Sequence, residues 1–448
     1  MLQSWTGSRR GREPGWVLLS AGVILLLLTA TETGASGPAI FDRVEEYQLD
    51  NGMQFQLLPR PDVPMVTGYI LFKVGNVDNP PGQIGMAHMF EHMAFKGTDR
   101  IGTRDHEAEL AIQDSVAVVG AELANEMGKR EFASAERVDQ FRGLLDALLE
   151  RQAEFIVPME WPMLYDGYTY NFNAYTSQDF TVYHATLPSN NLEAWMLMES
   201  ERLQHPSFRE FYTERDVVME ERREVIEDRP QRVARELMQA LAFTVFPYCN
   251  PIIGYMGDIE LLTQDQAETF YRDYYGPANG VAALVGDFDP AEARRLIEAY
   301  FGDIPARPCR PGPAMVEPPQ QGQRRGIHRQ GSERALYLAF PGYHPTDRRH
   351  AVARLLGSVL SRDKTSRLDK RLDLQEGAVR SIWTSFNGGF QRYAGVFIIC
   401  AKVLEDFTNE QVEDMIWEEL ERVVSEPVTA EKLLEIQTSY RKKYYFTL

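Results

Sequence analysis

Residues 85–95 read GMAHMFEHMAF, an apolar stretch whose ionisable side chains are His88, Glu91 and His92. His88 and His92 are four residues apart, so on a helix both imidazoles project from one face and can converge on one ion. Glu91 lies near the same face, where it can accept and pass on a proton. Two imidazoles at this spacing suit zinc, which then needs a third protein ligand and a position for water. The competing interpretation is a pair of histidines hydrogen-bonded within a buried helix.

The sequence before this helix predicts three strands. Strand-like runs at 44–49 and 54–58 flank Asp50-Asn51-Gly52, which is a hairpin signal. A third strand is predicted at 66–74. The helix itself is predicted over 84–95, ending at Lys96-Gly97 with glycine as the cap.

The sequence after this helix alternates between helical and strand patterns. The stretch 103–160 is rich in Ala, Glu and Leu and predicts one or two amphipathic helices. Further on, strands are predicted at 172–185 and 280–286, and helices at 190–203, 210–228, 262–276 and 290–301. The polar residues of 210–228 include a carboxylate run that is, by itself, more typical of a solvated helix face than of a metal site.

A proline-rich segment divides the chain. Six prolines lie within 305–325, as expected for a stiff, extended linker, here bounded as 306–325. Beyond it the order of elements restarts with a strand (334–340), a helix (349–361), two strands (378–385 and 394–402) and two helices (408–424 and 429–444). We therefore predict an α+β protein of two repeated domains, 40–305 and 326–448, each an antiparallel sheet with helices packed on it, the second copy being incomplete.

Composition narrows the possible functions. The chain has 448 residues and a formal net charge of −18, which disfavours nucleic acid as a partner. Its three cysteines, Cys249, Cys309 and Cys400, are far apart, so neither a disulfide framework nor a cysteine-bound zinc is expected. Any metal would be held by histidine and carboxylate.

The N-terminus has the pattern of an export signal. Three arginines precede a thirteen-residue apolar run, Trp16 to Leu28, which is short for a transmembrane helix. We predict a signal peptide over 1–35 and a periplasmic or secreted protein. The alternative is an uncleaved N-terminal membrane anchor.

The motif and its surroundings resemble a known family. The HxxEH order is the inverted form of the zincin motif, and residues 88–98, HMFEHMAFKGT, resemble the M16 (pitrilysin-type, inverzincin) metallopeptidases. Further similar segments are 173–177 (NAYTS), 214–221 (ERDVVMEE), 253–255 (IGY) and 285–288 (VGDF).

The resemblance implies a set of roles. His88 and His92 would be zinc ligands, Glu91 the general base and Glu221 the third ligand of one Zn²⁺ per chain, while Glu214 matches a second glutamate that supports activity. Glu214 and Glu221 are seven residues apart and so face the same way on a helix. Glu220 is the competing third ligand, although it points about 100° away.

The resemblance also implies how substrate would bind. Asn173 and Ala174 match an edge strand on which extended peptides pair, although a plain core strand is compatible with the same residues. Arg371 matches an arginine from the second domain that clamps substrate, whereas Arg380 stands where the family places a tyrosine.

The sequence therefore predicts a zinc-dependent endopeptidase acting on peptides or unfolded segments. Because the tyrosine is replaced and the second domain is short, we expect a second M16-like subunit or a homodimer to complete the site, and weak or no activity from the chain alone. The alternative is a non-catalytic partner subunit for peptide binding or assembly. The His92–Glu221 spacing is longer than usual for the family because of the 103–160 stretch, which we expect beside the cleft.

Overall fold

A computed structural model describes residues 40–386 and 391–447, and for 40–41 and 444–447 the backbone only. The predicted signal peptide, 1–35, lies outside the described residues. Among the helices within those two ranges, none has the length and apolar character needed to cross a membrane.

A six-stranded sheet organises the first domain. Its strands are β1 (Glu45–Gln48), β2 (Gln54–Pro59), β3 (Met65–Phe72), β4 (Asn171–Thr176), β5 (Thr181–Pro188) and β6 (Gly280–Gly286), in the order β1-β2-β6-β3-β5-β4. The predicted hairpin is present, with Tyr47 paired to Phe55. Gly52 closes its turn at φ 91°, a left-handed conformation that favours glycine.

The predicted antiparallel sheet is present, and it contains one parallel strand pair. β2 and β6 are parallel, whereas every other pair in this sheet is antiparallel. The reason is topological: β6 lies between β2 and β3, which run in opposite directions, so it must be parallel to one of them. The predicted strand at 172–185 is in fact the hairpin of β4 and β5, whose turn is closed by the Ser177 hydroxyl accepting the N–H groups of Asp179 and Phe180.

Ten helices described in the first domain cover the sheet. They are α1 (Met86–Met93), α2 (His106–Met127), α3 (Ala135–Ala153), α4 (Glu160–Tyr168), α5 (Leu192–Gln204), α6 (Phe211–Arg222), α7 (Pro230–Ala242), α8 (Met256–Ile259), α9 (Gln264–Tyr274) and α10 (Pro290–Phe301). The predicted insertion forms the α2–α3 hairpin. Helix α7 was missed by the sequence analysis, although Pro230 at its first turn is a common helix start. A π-helix, Arg223–Glu227, continues α6.

The second domain repeats the central part of the first. Its strands β7 (Arg334–Pro341), β8 (Val379–Phe386) and β9 (Val396–Val403) have the order β7-β9-β8, which matches β3-β5-β4. Its helices are α11 (Arg348–Leu360), α12 (Asn409–Ser425) and α13 (Ala430–Thr447). Within 391–447 and 334–386 no counterpart of β1, β2 or β6 is found.

The two domains share an aromatic and ionic interface. The Phe246 and Tyr393 rings stack with centroids 4.6 Å apart. Arg392 donates to both carboxylate oxygens of Asp78, at 2.6 and 2.8 Å. The proline-rich segment has no helix or strand, and Glu317 within it accepts three backbone N–H groups at the end of α7.

A fully buried arginine ties the insertion to the loop that follows α1. Arg209 donates to both oxygens of Glu109 in α2, at 2.9 and 3.2 Å. It also donates to the backbone carbonyls of Lys96, Thr98 and Ile101 at 2.7–2.9 Å. Arg209 and Glu109 are both about 1% exposed, so each charge depends on the other.

Removing this arginine should destabilise the protein strongly. Arg209→Met leaves the buried Glu109 carboxylate without a cation, for which we expect a loss of about 3–5 kcal/mol in the free energy of unfolding. Urea denaturation followed by circular dichroism measures it. Arg142→Met is the matched control because Arg142 pairs with Asp139 on an exposed face. Equal losses in the two variants would contradict the assignment.

Candidate metal centre and active site

Helix α1 is fixed at its first turn by a close approach of two glycines. Gly85 precedes the helix at φ 105°, and Gly254 faces it at φ 94°. A Cβ on Gly254 would lie 2.2 Å from the carbonyl oxygen of Ile84, so only glycine lets the 253–255 loop pack there. The helix begins two residues later than the predicted 84–95 because of this turn, and it also ends two residues earlier, at Met93. Its residues Met86, Met89, Phe90 and Met93 enter the core.

Helix α6 brings a carboxylate to the two histidines. The Oε2 atom of Glu221 lies 3.7 Å from Nε2 of His88 and 3.5 Å from Nε2 of His92. Glu220, the competing candidate, is exposed and pairs with Arg223 at 2.7 Å. The structure therefore brings together Glu221, and not Glu220, with His88 and His92.

The geometry of these three residues fits a zinc ion. One ligand atom from each of His88, His92 and Glu221 lies within 4.8 Å of the others. Tetrahedral zinc with bonds of about 2.0–2.2 Å separates its ligand atoms by roughly 3.3 Å, close to the distances found here. Glu221 Oε2 is also buried without a hydrogen-bond partner among the described residues, as expected of an atom that awaits a cation.

The pKa values of the two histidines are shifted in opposite directions. Burial, reinforced by the neighbouring His92, lowers the pKa of His88 to about 4. Burial also opposes protonation of His92, but the hydrogen bond to Glu214 and the nearby Glu221 carboxylate outweigh it and raise its pKa to about 9. The interaction with His92 in turn lowers the pKa of Glu221. A metal ion binding here would displace the His92 proton.

Glu91 is buried beside the cluster and is oriented by β4. Thr176, the last residue of β4, donates its hydroxyl to Glu91 Oε2 at 2.7 Å. Burial raises the pKa of Glu91, and the Thr176 hydrogen bond partly offsets that rise. A carboxylate with a raised pKa that still accepts a hydrogen bond on one oxygen is suited to receive a proton on the other.

Glu214 holds His92 from the side opposite to Glu221. Its Oε1 atom lies 2.9 Å from His92 Nδ1, and its Oε2 atom lies 2.5 Å from Nζ of Lys96. Burial works against ionisation, but the contacts with His92 and Lys96 lower the pKa of Glu214. Carboxylates in this position fix the ring orientation of metal-binding histidines.

Sequence reasoning missed Lys96 and Thr176 as site residues. Lys96 is four residues after His92, a spacing that is typical of two residues on one helix face, although Lys96 itself lies just beyond α1. Thr176 lies in the 173–177 segment that resembles the family, but its contact with Glu91 depends on how β4 packs against α1.

The predicted substrate-binding residues lie in different parts of the molecule. Asn173 and Ala174 are in β4, which is the outermost strand of its sheet. The Ala174 N–H bonds to the side chain of Asn173 at 2.9 Å. Arg371 belongs to a π-helix (Asp369–Gln375) of the second domain and pairs there with Glu376 and Glu418. The described contacts do not bring Arg371 to the cluster, and its role stays a prediction.

Two family models match this chain. Residues 261–440 match the family model described as "Peptidase M16 inactive domain", and residues 167–255 match "Insulinase (Peptidase family M16)", together more than half of the chain. The chain belongs to the M16 peptidase family. The matched ranges of this M16 chain do not include α1, so the roles of His88, Glu91 and His92 depend on the geometry above.

Curated relatives of this M16 chain are named zinc proteases. The zinc protease PqqE of Helicobacter pylori is 25% identical over 347 residues, covering 75% of this chain and 66% of the relative. An uncharacterized zinc protease of Streptomyces coelicolor is 23% identical over 368 residues, covering 80% and 68%. The chain thus spans about two thirds of the length of these relatives, and 31% of the probable zinc protease PqqL of Escherichia coli.

Solved structures show the same fold. A protease from Helicobacter pylori has a TM-score of 0.71 at 21% identity, covering 90% of this M16 chain and 85% of that chain. The periplasmic protease PqqL from Escherichia coli has a TM-score of 0.62 at 19% identity, covering 90% and 40%. Identities this low establish the fold and leave the chemistry to the residues.

Loss of the Glu214 carboxylate should weaken metal binding. In Glu214→Gln the residue that contacts His92 is no longer negatively charged. We expect roughly 10–100-fold lower zinc affinity. Competition with a zinc-chelating fluorophore measures it. Glu220→Gln, on the same helix but exposed and paired with Arg223, is the control and should bind zinc like the parent. Indistinguishable affinities for the two variants would refute the role of Glu214.

Proposed function

We propose that this M16 chain is a zinc-dependent endopeptidase that hydrolyses peptides or unfolded segments. The observation that carries the proposal is the convergence of His88, His92 and Glu221 on one point with Glu91 beside them. The names of the curated relatives support zinc and protease chemistry in general. A scaffold protein would not need two half-buried histidines, a carboxylate oxygen buried without a hydrogen-bond partner and an adjacent carboxylate with a raised pKa at one place.

The residues of the site have separate tasks in this mechanism. Zinc, when bound, supplies a Lewis acid that activates water and polarises the scissile carbonyl. Glu91 accepts a proton from the attacking water and passes it to the leaving amine. Thr176 holds one carboxylate oxygen of Glu91, so that the other stays available for this transfer. Glu214 keeps the His92 ring in its ligating orientation.

Substrate would bind by adding a strand to the first-domain sheet. β4 is the outermost strand, so its free edge can pair with the backbone of an extended peptide. Asn173 is exposed along this strand, and Thr176 at its end contacts Glu91. A peptide paired at Asn173 and Ala174 would therefore lead toward the general base. We propose that Arg371 also binds substrate. To do so, it would have to leave its ion pairs with Glu376 and Glu418.

A second M16-type subunit, or a second copy of the chain, would complete the active assembly. Arg380, where the family places a tyrosine, is exposed and lies 3.6 Å from Glu333. One relative that matches half of this chain is named a probable mitochondrial-processing peptidase subunit beta, from Arabidopsis thaliana. The competing function is a non-catalytic subunit for peptide binding or assembly, favoured by the match of 261–440 to a domain described as inactive.

We also propose that the protein is exported. The basic and apolar pattern of 1–35 predicts a signal peptide, with the membrane anchor as its alternative. The solved structure of PqqL is that of a periplasmic protease, which supports the same compartment for this chain.

Two variants should distinguish the loss of peptidase activity from the loss of zinc. We expect one zinc per chain in the parent and in Glu91→Gln, and none in His92→Ala, by elemental analysis of protein prepared without added chelator. Activity on an unfolded protein substrate should fall at least about 10²-fold in Glu91→Gln, because the proton transfer is lost. Glu224→Gln, which changes an exposed glutamate of the adjacent π-helix, is the control. If the parent contains no zinc, or if Glu91→Gln is as active as the parent, the proposed enzymatic function is wrong and the non-catalytic subunit is favoured.

The isolated monomer should turn over poorly even when it carries zinc. Size-exclusion fractions of the full chain, assayed for zinc and for peptide cleavage, should show activity in dimeric fractions or after addition of a second M16-type chain. Robust zinc-dependent cleavage by the monomeric fraction would contradict the need for a partner.

A further inference from the structure

We propose that Lys96 is a positioning residue for the His92 ligand, and that the α2–α3 insertion holds Lys96 in place through Glu109 and Arg209. The inference deepens the proposed function, since it concerns how the zinc site is kept in shape. It gives the insertion a task inside the site, in addition to any effect on access to the cleft.

The first step is the contact from Lys96 to His92 through Glu214. Nζ of Lys96 lies 2.5 Å from one carboxylate oxygen of Glu214, and His92 Nδ1 lies 2.9 Å from the other. The Glu214 side chain is only 12% exposed, so water screens these charges little. A carboxylate held at both oxygens cannot rotate without losing one contact, so Lys96 fixes the plane in which Glu214 meets the imidazole.

The second step is the loop that presents Lys96. Lys96 stands just beyond α1, and Gly97 after it has φ 88°. Three carbonyls of this loop, those of Lys96, Thr98 and Ile101, accept hydrogen bonds from the buried Arg209 guanidinium. The planar guanidinium sets the relative positions of its acceptors. Arg209 therefore fixes the backbone from which the lysine reaches Glu214.

The third step is the insertion itself. Glu109 lies in the first turn of α2, and both its oxygens are bonded to Arg209. The start of α2 is capped by the Asp105 side chain, which accepts the N–H of Ala108 at 3.1 Å. The insertion thus supplies the anion that neutralises Arg209 in the interior. Glu107, in the same turn of α2, is exposed.

A double-mutant cycle on zinc affinity tests the step through Glu214. Lys96→Met should weaken zinc binding roughly three- to tenfold in the parent and leave it unchanged in the Glu214→Gln background, because the two residues act in series. Competition with a chelating fluorophore gives the affinities. Lys96→Arg should restore most of the loss. The same loss in both backgrounds, or no loss in the parent, would overturn the proposal.

A spectroscopic measurement separates positioning from general stability. In Co²⁺-loaded protein the visible absorption bands report the geometry around the metal, and they should shift in Lys96→Met at an unchanged thermal midpoint. Glu109→Gln should cause a shift of the same kind, here at a lower thermal midpoint because the Arg209 charge loses its partner, and Glu107→Gln should cause neither change. Unshifted bands in Glu109→Gln would remove the insertion from the proposal.

The two levels of proposal fail differently. If the parent binds neither zinc nor Co²⁺ at His88 and His92, the proposed function itself is wrong. If the parent binds one metal ion and His92→Ala does not, the proposed site stands, and only the variants of Lys96 and Glu109 decide the inference.

Discussion

The carboxylate of Glu214 is the contact on which the site depends. It joins α1 and α6, two helices separated by more than a hundred residues, by bonding His92 at one oxygen and Lys96 at the other. Without it, Lys96 would keep only its longer contact with Glu210, at 3.8 Å, and His92 would lose the acceptor at Nδ1. Because burying unpaired charge is costly, the two helices are held at the one separation that also places Glu221 against both histidines.

The second domain supports the same site from a distance. Arg392 bonds to Asp78, and Tyr248, whose hydroxyl accepts the N–H of Tyr393, donates to Asp179 in the turn between β4 and β5. That turn belongs to the hairpin that carries Asn173, Ala174 and Thr176. Contacts from both domains therefore hold the turn of the hairpin to which the edge strand β4 belongs.

The repeat explains much of the fold. β3-β5-β4 and β7-β9-β8 have the same strand order and are antiparallel throughout. In the second domain one α-helix follows the first of these strands and two follow the last, whereas in the first domain more helices occupy both places. β6 adds the parallel contact of the first sheet because it returns between two strands of opposite direction. Helix α7 connects the copies: Met238 packs in one cluster with Val396 and Ile398 of β9.

Local sequence determined the elements and most candidate ligands. His88 and His92 share one helix face because they are four residues apart, and Glu214 and Glu221 do so because they are two turns apart. The turn at Asp50-Asn51-Gly52 follows from the backbone preferences of these residues. Helix α7 was missed although it is amphipathic and has Pro230 at its first turn, and its Met238 packs against β9 of the second domain.

Only the tertiary structure decided which of the neighbouring carboxylates reaches the histidines, and which side chains hold the site in place. Glu220 and Glu221 are neighbouring residues of the same type. The orientation of α6 against α1 turns Glu221 toward the histidines and leaves Glu220 exposed beside Arg223. Thr176 and Arg209 reach the site from elements far away along the chain. The physical reason is that helix periodicity acts within one element, whereas hydrogen bonds between buried polar groups are fixed only when separate elements pack together.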